Sequence, residues 1–197
     1  MNLPVALNKE SLAAWRQVYK LLRFSELMAN STFLPNDALL AAIITNQSLG
    51  HSALPADFGL GEARLAALTR RYFPKLSFVL PENWAPLEPL PEHQDLVNLL
   101  LRYRANLDDS EYDLAVIVAT ACRGKEHLWQ DLGLNNRKEL SELFQQNFPR
   151  LAIKNNRDMK WKKFLYKQLC EEEGIYVCRA PSCSECKDQL DCFGPEQ

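Results

Sequence analysis

The chain has 197 residues, 47% of them hydrophobic, with 23 lysines and arginines against 25 aspartates and glutamates. This length and apolar content let one domain bury its own core without disulfide staples. The net charge of −2 gives no global attraction to nucleic acid or to an acidic membrane surface, so we expect neither as a partner.

The first ten residues, MNLPVALNKE, lack the basic segment, apolar run and cleavage site of a secretory signal. No uncharged run approaches the roughly 20 apolar residues that a membrane span requires. We therefore expect a cytoplasmic protein, whose thiols stay reduced and able to bind metal.

Apolar residues recur mostly at three- and four-residue spacings, which predicts a mainly α fold of about seven helices. The first predicted helix covers residues 11–28, and its apolar stripe at helical spacing consists of Leu12, Trp15, Tyr19 and Leu22. Asn36 is a good N-cap for the second. The remaining helices are predicted at about 36–50, 62–73, 92–105, 110–123, 136–147 and 157–173.

Five prolines fall within residues 74–91, where they remove backbone donors and predict a connector. The segment DLAVIVATAC, residues 113–122, is apolar on nearly every side. It predicts a central helix packed all round, with a buried strand as the alternative. We expect a single helical domain over residues 1–174, followed by a cysteine-rich metal-binding loop over residues 175–197.

Four cysteines stand close together within residues 178–192, in the sequence CRAPSCSECKDQLDC. Cys178, Cys183, Cys186 and Cys192 have the spacing C-x4-C-x2-C-x5-C. Structural zinc sites usually separate two ligand pairs by a dozen or more residues, whereas C-x4-C-x2-C is the run used by plant-type ferredoxins. The spacing therefore favours an iron–sulfur cluster and leaves a single zinc ion open.

Two further cysteines, Cys122 and Cys170, lie outside this run, and we expect both to serve packing. The helix that precedes the run, in DMKWKKFLYKQLCEEEG, separates two faces. Its predicted buried stripe consists of Trp161, Phe164, Leu165 and Leu169. Its basic face consists of Lys160, Lys163 and Lys167. A solvated face is the usual outcome for such lysines, and docking of an acidic partner is the alternative.

The segments CRGKEHLWQDLGL and DMKWKKFLYKQLCEEEG, together with the four-cysteine run followed by FGPE, resemble the NifQ family of nitrogen-fixation proteins. The resemblance is strong over residues 114–196. It implies a donor of molybdenum for assembly of the iron–molybdenum cofactor of nitrogenase. It also implies a cluster of molybdenum, iron and sulfur held by Cys178, Cys183, Cys186 and Cys192. The implied partners are the cofactor-assembly proteins, namely the scaffold complex and the nitrogenase reductase.

His127, within GKEHLWQDLGL, is a candidate additional metal ligand, because a neutral imidazole binds transition metals. The alternative is a histidine that caps or packs the turn beside Trp129. The chain shows no glycine-rich phosphate loop and no nucleophile–base pairing, so we predict a carrier and not an enzyme. Two other classes stay open: a zinc-stabilised module that binds an acidic partner, and a redox protein with an ordinary iron–sulfur cluster.

Overall fold

The computed structural model describes residues 9–88, 90–172 and 189–196. Within these ranges the chain forms ten helices and no strand, which confirms the mainly α prediction. In chain order the helices are α1 Lys9–Ala29, α2 Asp37–Ser48, α3 Glu62–Tyr72, α4 Pro91–Arg102, α5 Ser110–Ala121, α6 Leu128–Asp131, α7 Arg137–Asn147, α8 Pro149–Lys154, α9 Trp161–Glu172 and α10 Gln189–Phe193.

The seven predicted helices correspond to α1, α2, α3, α4, α5, α7 and α9. The predicted number was too low because α6, α8 and α10 have only four, six and five residues, too few to show a period. Within the described part of the predicted connector, residues 74–88 and 90, there is no helix. Pro91 occupies the first helical position of α4, where its missing N–H costs nothing. The division at residue 174 falls outside the described residues and stays a prediction.

The central segment is a helix, so the alternative of a buried strand is wrong. Every residue of α5 except Tyr112 is buried, and α5 lies against α4 and α6. The buried Glu111 carboxylate accepts hydrogen bonds from the backbone N–H groups of Asn106, Leu107 and Asp108, at 2.7, 2.7 and 3.1 Å. These bonds satisfy donors in the turn before the helix and allow the whole element to be enclosed.

The predicted apolar stripe of α9 is buried, with Trp161, Phe164, Leu165 and Leu169 each less than a tenth exposed. The Trp161 ring stacks on Phe144 of α7, with ring centroids 3.9 Å apart and planes 4° from parallel. Phe164 meets the same indole edge-on at 5.7 Å. Aromatic contacts of this geometry stabilise the fold beyond what burial of the ring surface contributes. They therefore give α9 a defined position against α7.

The apolar stripe of α1 does not pack on the core, because Trp15, Tyr19 and Leu22 are 61%, 57% and 63% exposed. The side chain of Leu12 lies outside the described residues. Near the other end of this helix, Leu27 is fully buried. Helical spacing identifies an apolar face, but only tertiary structure decides whether other elements cover it.

Asn36 occupies the N-cap position of α2 as predicted, but its side chain makes no capping hydrogen bond, so the predicted role of that side chain is wrong. Its amide nitrogen instead donates to Ser110 Oγ at 2.9 Å and to Asn147 Oδ1 at 2.7 Å, and Asn147 donates back at 3.1 Å. All three residues are buried. A buried amide needs partners on both its ends, and the pairing across the core supplies them.

The last long helix begins at Trp161 and not near residue 157. The Asn155 side chain accepts from Met159 N at 2.8 Å and donates to Met159 O at 2.9 Å, which ties the intervening residues into a loop. Asp158 has a φ of 53°, a left-handed conformation that ends regular α geometry. No described helix is long and apolar enough to cross a membrane.

The stack in the core predicts a large difference between two tryptophans. Trp161→Ala is expected to lower the free energy of unfolding by about 3–5 kcal/mol, because it removes a buried ring and leaves a cavity beside Phe144. The control, Trp15→Ala, removes a ring that is 61% exposed and is expected to change stability by no more than about 0.5 kcal/mol. Urea denaturation of both variants measures the difference, and equal effects would contradict this description of the core.

Candidate metal centre

One of the four predicted cysteine ligands, Cys192, lies within the described residues; Cys178, Cys183 and Cys186 lie outside them. Cys192 belongs to α10 and is partly buried. The backbone N–H of Lys160 donates to Cys192 O at 2.7 Å, and Lys160 Nζ donates to Leu190 O at 3.3 Å. Although it follows α9 in the sequence, Cys192 therefore lies beside the residue that precedes the N-terminal end of α9.

The residues after Cys192 place a carboxylate inside the protein. The side chain of Glu196 is 4% exposed and forms an ion pair with Arg137, the first residue of α7. Its Oε1 is 3.9 Å from Nδ1 of His127. Its Oε2 is buried and has no hydrogen-bond partner. The C-terminal segment is thus held against the helical body through a buried acidic group.

Arg137 joins three parts of the chain through one guanidinium. Nη1 binds Glu196, while Nη2 donates to Asp158 O at 3.0 Å, Asp158 Oδ1 at 2.8 Å and Met159 O at 3.0 Å. A guanidinium has five donors in one plane, so a single side chain can serve several acceptors. Arg137 links the start of α7 to the loop before α9 and to the segment after Cys192.

His127 occupies the N-cap position of α6, and its backbone N–H donates to Gln130 Oε1 at 3.1 Å. His127 therefore caps the turn beside Trp129, and this role is compatible with the predicted role of its ring as a metal ligand. The backbone begins a helix beside Trp129, while the ring lies near Glu196, four residues after Cys192. The fold brings His127 towards the C-terminal segment; its role as a ligand stays a prediction.

A second buried ion pair connects α9 to the turn that carries His127. Lys162 pairs with Asp131 and also donates to Gly124 O at 2.9 Å. A Cβ on Gly124 would lie 2.3 Å from the Asp131 carboxyl carbon, so this turn requires glycine. The lysine holds both the beginning and the end of the segment 124–131 against α9.

The three lysines of the basic face differ in their surroundings. Lys160 contacts α10 as described, and Lys167 pairs with Glu171 on its own helix at 3.3 Å. Lys163 is exposed. Lys167 also lines a cleft of about 400 Å³ that extends to Phe193, where the Arg157 guanidinium lies 5.2 Å from the ring centre. Lys163 is the member of this face that can be altered without disturbing these contacts.

The two cysteines outside the predicted ligand run, Cys122 and Cys170, differ in how deeply they are buried. Cys122 is buried, and burial raises the pKa of its thiol to about 12. It is therefore protonated and enclosed at neutral pH, which confirms the packing role. Cys170 is partly buried near the C-terminal end of α9.

Within residues 9–88, 90–172 and 189–196, no three side chains of histidine, cysteine, aspartate or glutamate come together in a way that could hold a metal ion. The described donors in or near α10 include Cys192, Glu196 and His127. A thiolate, a buried carboxylate with an unpartnered oxygen, and an imidazole are all competent metal ligands. Each of the three is a possible ligand, but they do not converge among the described residues, so a metal here would take ligands from outside them.

The sequence profile of the NifQ family matches residues 39–194, a range that contains the whole four-cysteine run. The chain belongs to the NifQ family. It is 44% identical over 174 residues to Protein NifQ of Azotobacter vinelandii, covering 82% of this chain and 89% of the relative. It is 36% identical over 167 residues to Protein NifQ of Rhodobacter capsulatus, covering 83% and 92%. No solved structure matches the chain.

A third relative, the Protein NifQ homolog of Sinorhizobium fredii (strain NBRC 101917 / NGR234), is 34% identical over 187 residues. That alignment covers 91% of this chain and 81% of the relative. The resemblance inferred from the sequence motifs is thus confirmed across most of the chain. Membership of the NifQ family places the protein among those of nitrogen fixation.

The motifs of this NifQ family member did not single out Glu196 or Arg137. Glu196 stands in the quoted FGPE, but an isolated glutamate near a chain end usually lies in solvent. Arg137 resembles any basic residue at the start of an amphipathic helix. Its position in the first turn of α7 could have drawn attention to it. The helix dipole disfavours a cation there, so an arginine at that position suggests a separate interaction.

The buried pair beside the candidate site predicts a specific loss of stability. Lys162→Met is expected to lower the free energy of unfolding by about 3–5 kcal/mol, because it leaves the Asp131 carboxylate buried without its cation. Lys163→Met, on the next and exposed residue, is the control and should change stability by no more than about 0.5 kcal/mol. Urea denaturation measures both; an undamaged Lys162→Met variant would show that the pair does not hold the turn.

Proposed function

We propose that this protein is an iron–sulfur–molybdenum carrier that supplies molybdenum for biosynthesis of the iron–molybdenum cofactor of nitrogenase. The observation that carries the proposal is the family match, because it spans the complete C-x4-C-x2-C-x5-C run. The attachment of α10 to the helical body supports it, since that attachment gives the fourth cysteine a defined position.

In this proposal Cys178, Cys183, Cys186 and Cys192 hold a cluster of molybdenum, iron and sulfur, which is cargo. Thiolates are soft ligands that select such clusters. The buried core of the described residues contains none of the four proposed ligands, and Cys192 packs only against its edge, so we expect the helical body not to require the cluster for its own packing. The protein would bind the cluster, keep it from water and present it, without catalytic turnover.

A carrier must also release what it binds. The contacts of α10 and the residues after it include two hydrogen bonds from Lys160, the contact of Phe193 with Arg157, and the ion pair of Glu196 with Arg137. Gln189, Leu190 and Asp191 are exposed. Local opening of a five-residue helix with no buried residue costs less than unfolding of the core, so the cargo can leave while the helical body stays folded.

The proposed acceptors are the cofactor-assembly proteins, namely the scaffold complex and the nitrogenase reductase, in the cytoplasm. The exposed Lys163, close to the residues that contact α10, supports docking of an acidic surface on this face. The competing proposal is a zinc-stabilised module that binds an acidic partner. A colourless protein with one zinc per chain after anaerobic purification would favour that alternative.

The cluster assignment predicts the effect of single cysteine replacements. Alanine at any one of Cys178, Cys183, Cys186 or Cys192 is expected to lower bound iron and molybdenum together and leave helical content nearly unchanged, because the helical body has its own apolar core. Elemental analysis and circular dichroism measure the two effects. The control, Cys122→Ala, should keep its metal and show only a packing defect. Normal metal content in all four ligand variants would refute the assignment.

The docking face predicts a change in association kinetics. Lys163→Glu is expected to slow association with the scaffold complex or the nitrogenase reductase several-fold at low salt, and to flatten the salt dependence of the rate, because a cation that steers an acidic surface has been reversed. Metal loading should not change. Lys138→Glu, at an exposed position of α7, is the charge-matched control. Stopped-flow measurements giving equal rates for both variants would identify an ordinary solvated face.

A further inference from the structure

We propose that a basic surface on one side of the helical body docks an acidic face of a partner protein. This basic surface consists of five cations from the C-terminal end of α4, from α8 and from the loops that follow them: Arg102, Arg104, Arg150, Lys154 and Arg157. It does not include Lys163, which lies on α9. The inference rests on the proposed function for the identity of the partner, and it adds the place at which that partner binds.

The first argument is the gathering of cations around one aromatic ring. Lys154 Nζ donates to the Tyr103 hydroxyl oxygen at 2.5 Å and lies 4.5 Å from the ring centre. The Arg150 guanidinium lies 6.0 Å from the same centre, and its Nη2 donates to Arg102 O at 2.8 Å. Attraction to a tyrosine ring offsets part of the repulsion between like charges. The fold thus brings together cations from two segments that are distant in the sequence.

The second argument is the shortage of acids available to these cations. Three nearby acids each already pair with a basic residue: Glu171, Glu172 and Asp158. The hydrogen bonds of Arg104, Arg150 and Lys154 go to neutral oxygens. A fourth acid, Asp95, lines a cleft with Arg102 and Arg104, so it offsets only part of their charge. Because the whole chain carries a net charge of −2, the excess of positive charge is local, and it attracts an acidic surface to this face.

The third argument is the position of the basic surface beside α10. Lys154 and Arg157 line the cleft of about 400 Å³ that extends to Phe193. The Arg157 guanidinium lies 5.2 Å from the centre of the Phe193 ring, and Phe193 directly follows Cys192 in α10. A protein docked on this surface would therefore contact the element that carries the described cysteine of the proposed cluster.

The fourth argument is the chemical character of the surface, which fits a protein better than a nucleic acid. Ile153, which lies between Arg150 and Lys154 in the sequence, is 75% exposed, and Tyr103 is partly buried. Tyrosine and arginine are enriched in protein interfaces, whose centre is apolar. Binding of nucleic acid depends on cations that contact phosphates and needs no exposed isoleucine. We therefore assign the basic surface to an acidic protein.

The alternative explanation is that these cations serve only the ends of helices. Arg102 and Lys154 are the last residues of α4 and α8, where the helix dipole favours a cation, and Arg150 binds the carbonyl of Arg102. Such roles stabilise the fold, so loss of the cations would lower the unfolding temperature. Arg157 belongs to neither helix. Measurement of stability and of association on the same variants separates the two roles.

The experiment measures association of the whole protein with the scaffold complex and with the nitrogenase reductase by stopped flow, over a range of salt concentrations. The double variant Lys154→Glu with Arg157→Glu is expected to associate about tenfold more slowly with at least one of them at low salt, because steering charges have been reversed. The difference should shrink at high salt. The control, Arg70→Glu with Lys138→Glu, reverses two exposed cations of α3 and α7 and should match the wild type.

A second variant tests close contact and not only attraction. Ile153→Ser removes an exposed apolar side chain, so it should leave the unfolding temperature and the association rate unchanged. It is expected to make dissociation several-fold faster, because changes in interface contacts act mainly on the dissociation rate. The inference requires both effects.

Several outcomes would overturn the inference. Equal association rates in the two double variants would do so, as would a wild type that binds neither protein. A lower unfolding temperature with unaltered association would assign the cations to the helix ends alone. If the Lys154→Glu, Arg157→Glu variant fails to fold, an unchanged dissociation rate of Ile153→Ser decides against docking. Binding of a short DNA or RNA duplex, or of anionic phospholipid vesicles, that the double variant loses while its protein association is unchanged would assign the surface to that ligand.

The metal content of the same wild-type preparation tests the proposed function separately. A wild type with iron but no molybdenum would refute that function. Equal association rates in the two double variants, with molybdenum present, would overturn the docking inference and leave the proposed function standing.

Discussion

The burial of one face of α9 is the constraint on which the rest of the structure depends. Trp161 stacks on Phe144 and meets Phe164 edge-on, so the helix has a single favourable position against α7. Residues on its other faces and just before it then hold neighbouring segments in place. Lys162 reaches the turn at Gly124, while Lys160, just before the helix, binds α10. The elements around the candidate metal centre thus take their positions from a well-packed aromatic contact outside it.

Polar contacts between segments that are distant in the sequence fix the arrangement of the helices more narrowly than the apolar core does. Asn36 pairs with Asn147, Asp131 with Lys162, and Arg137 with Glu196, each across a long stretch of sequence. A core of apolar residues tolerates many similar arrangements, whereas a buried polar group is satisfied in few of them. These pairs therefore select one arrangement, and the last of them brings the C-terminal segment against the helical body.

The structure separates a buried body from an element at its surface. Nearly all of α5 and one face of α9 are buried, whereas no residue of α10 is buried. This difference suits a protein that is proposed to hold a cluster and then give it up, because a short element at the surface opens at less cost than the core. Lys160 holds α10, and Arg137 holds the residues that follow it.

The sequence by itself determined the fold class, the seven long helices, the buried stripe of α9 and the family, because these depend on local periodicity and on motifs with fixed spacing. Only the tertiary structure decided which faces are covered and which distant groups meet. The stripe of α1 had the right period but remains exposed, and Asn36 forms core hydrogen bonds instead of a cap. Glu196 and His127 come together through contacts of Arg137 and Lys162, and such pairings leave no periodic trace in the sequence.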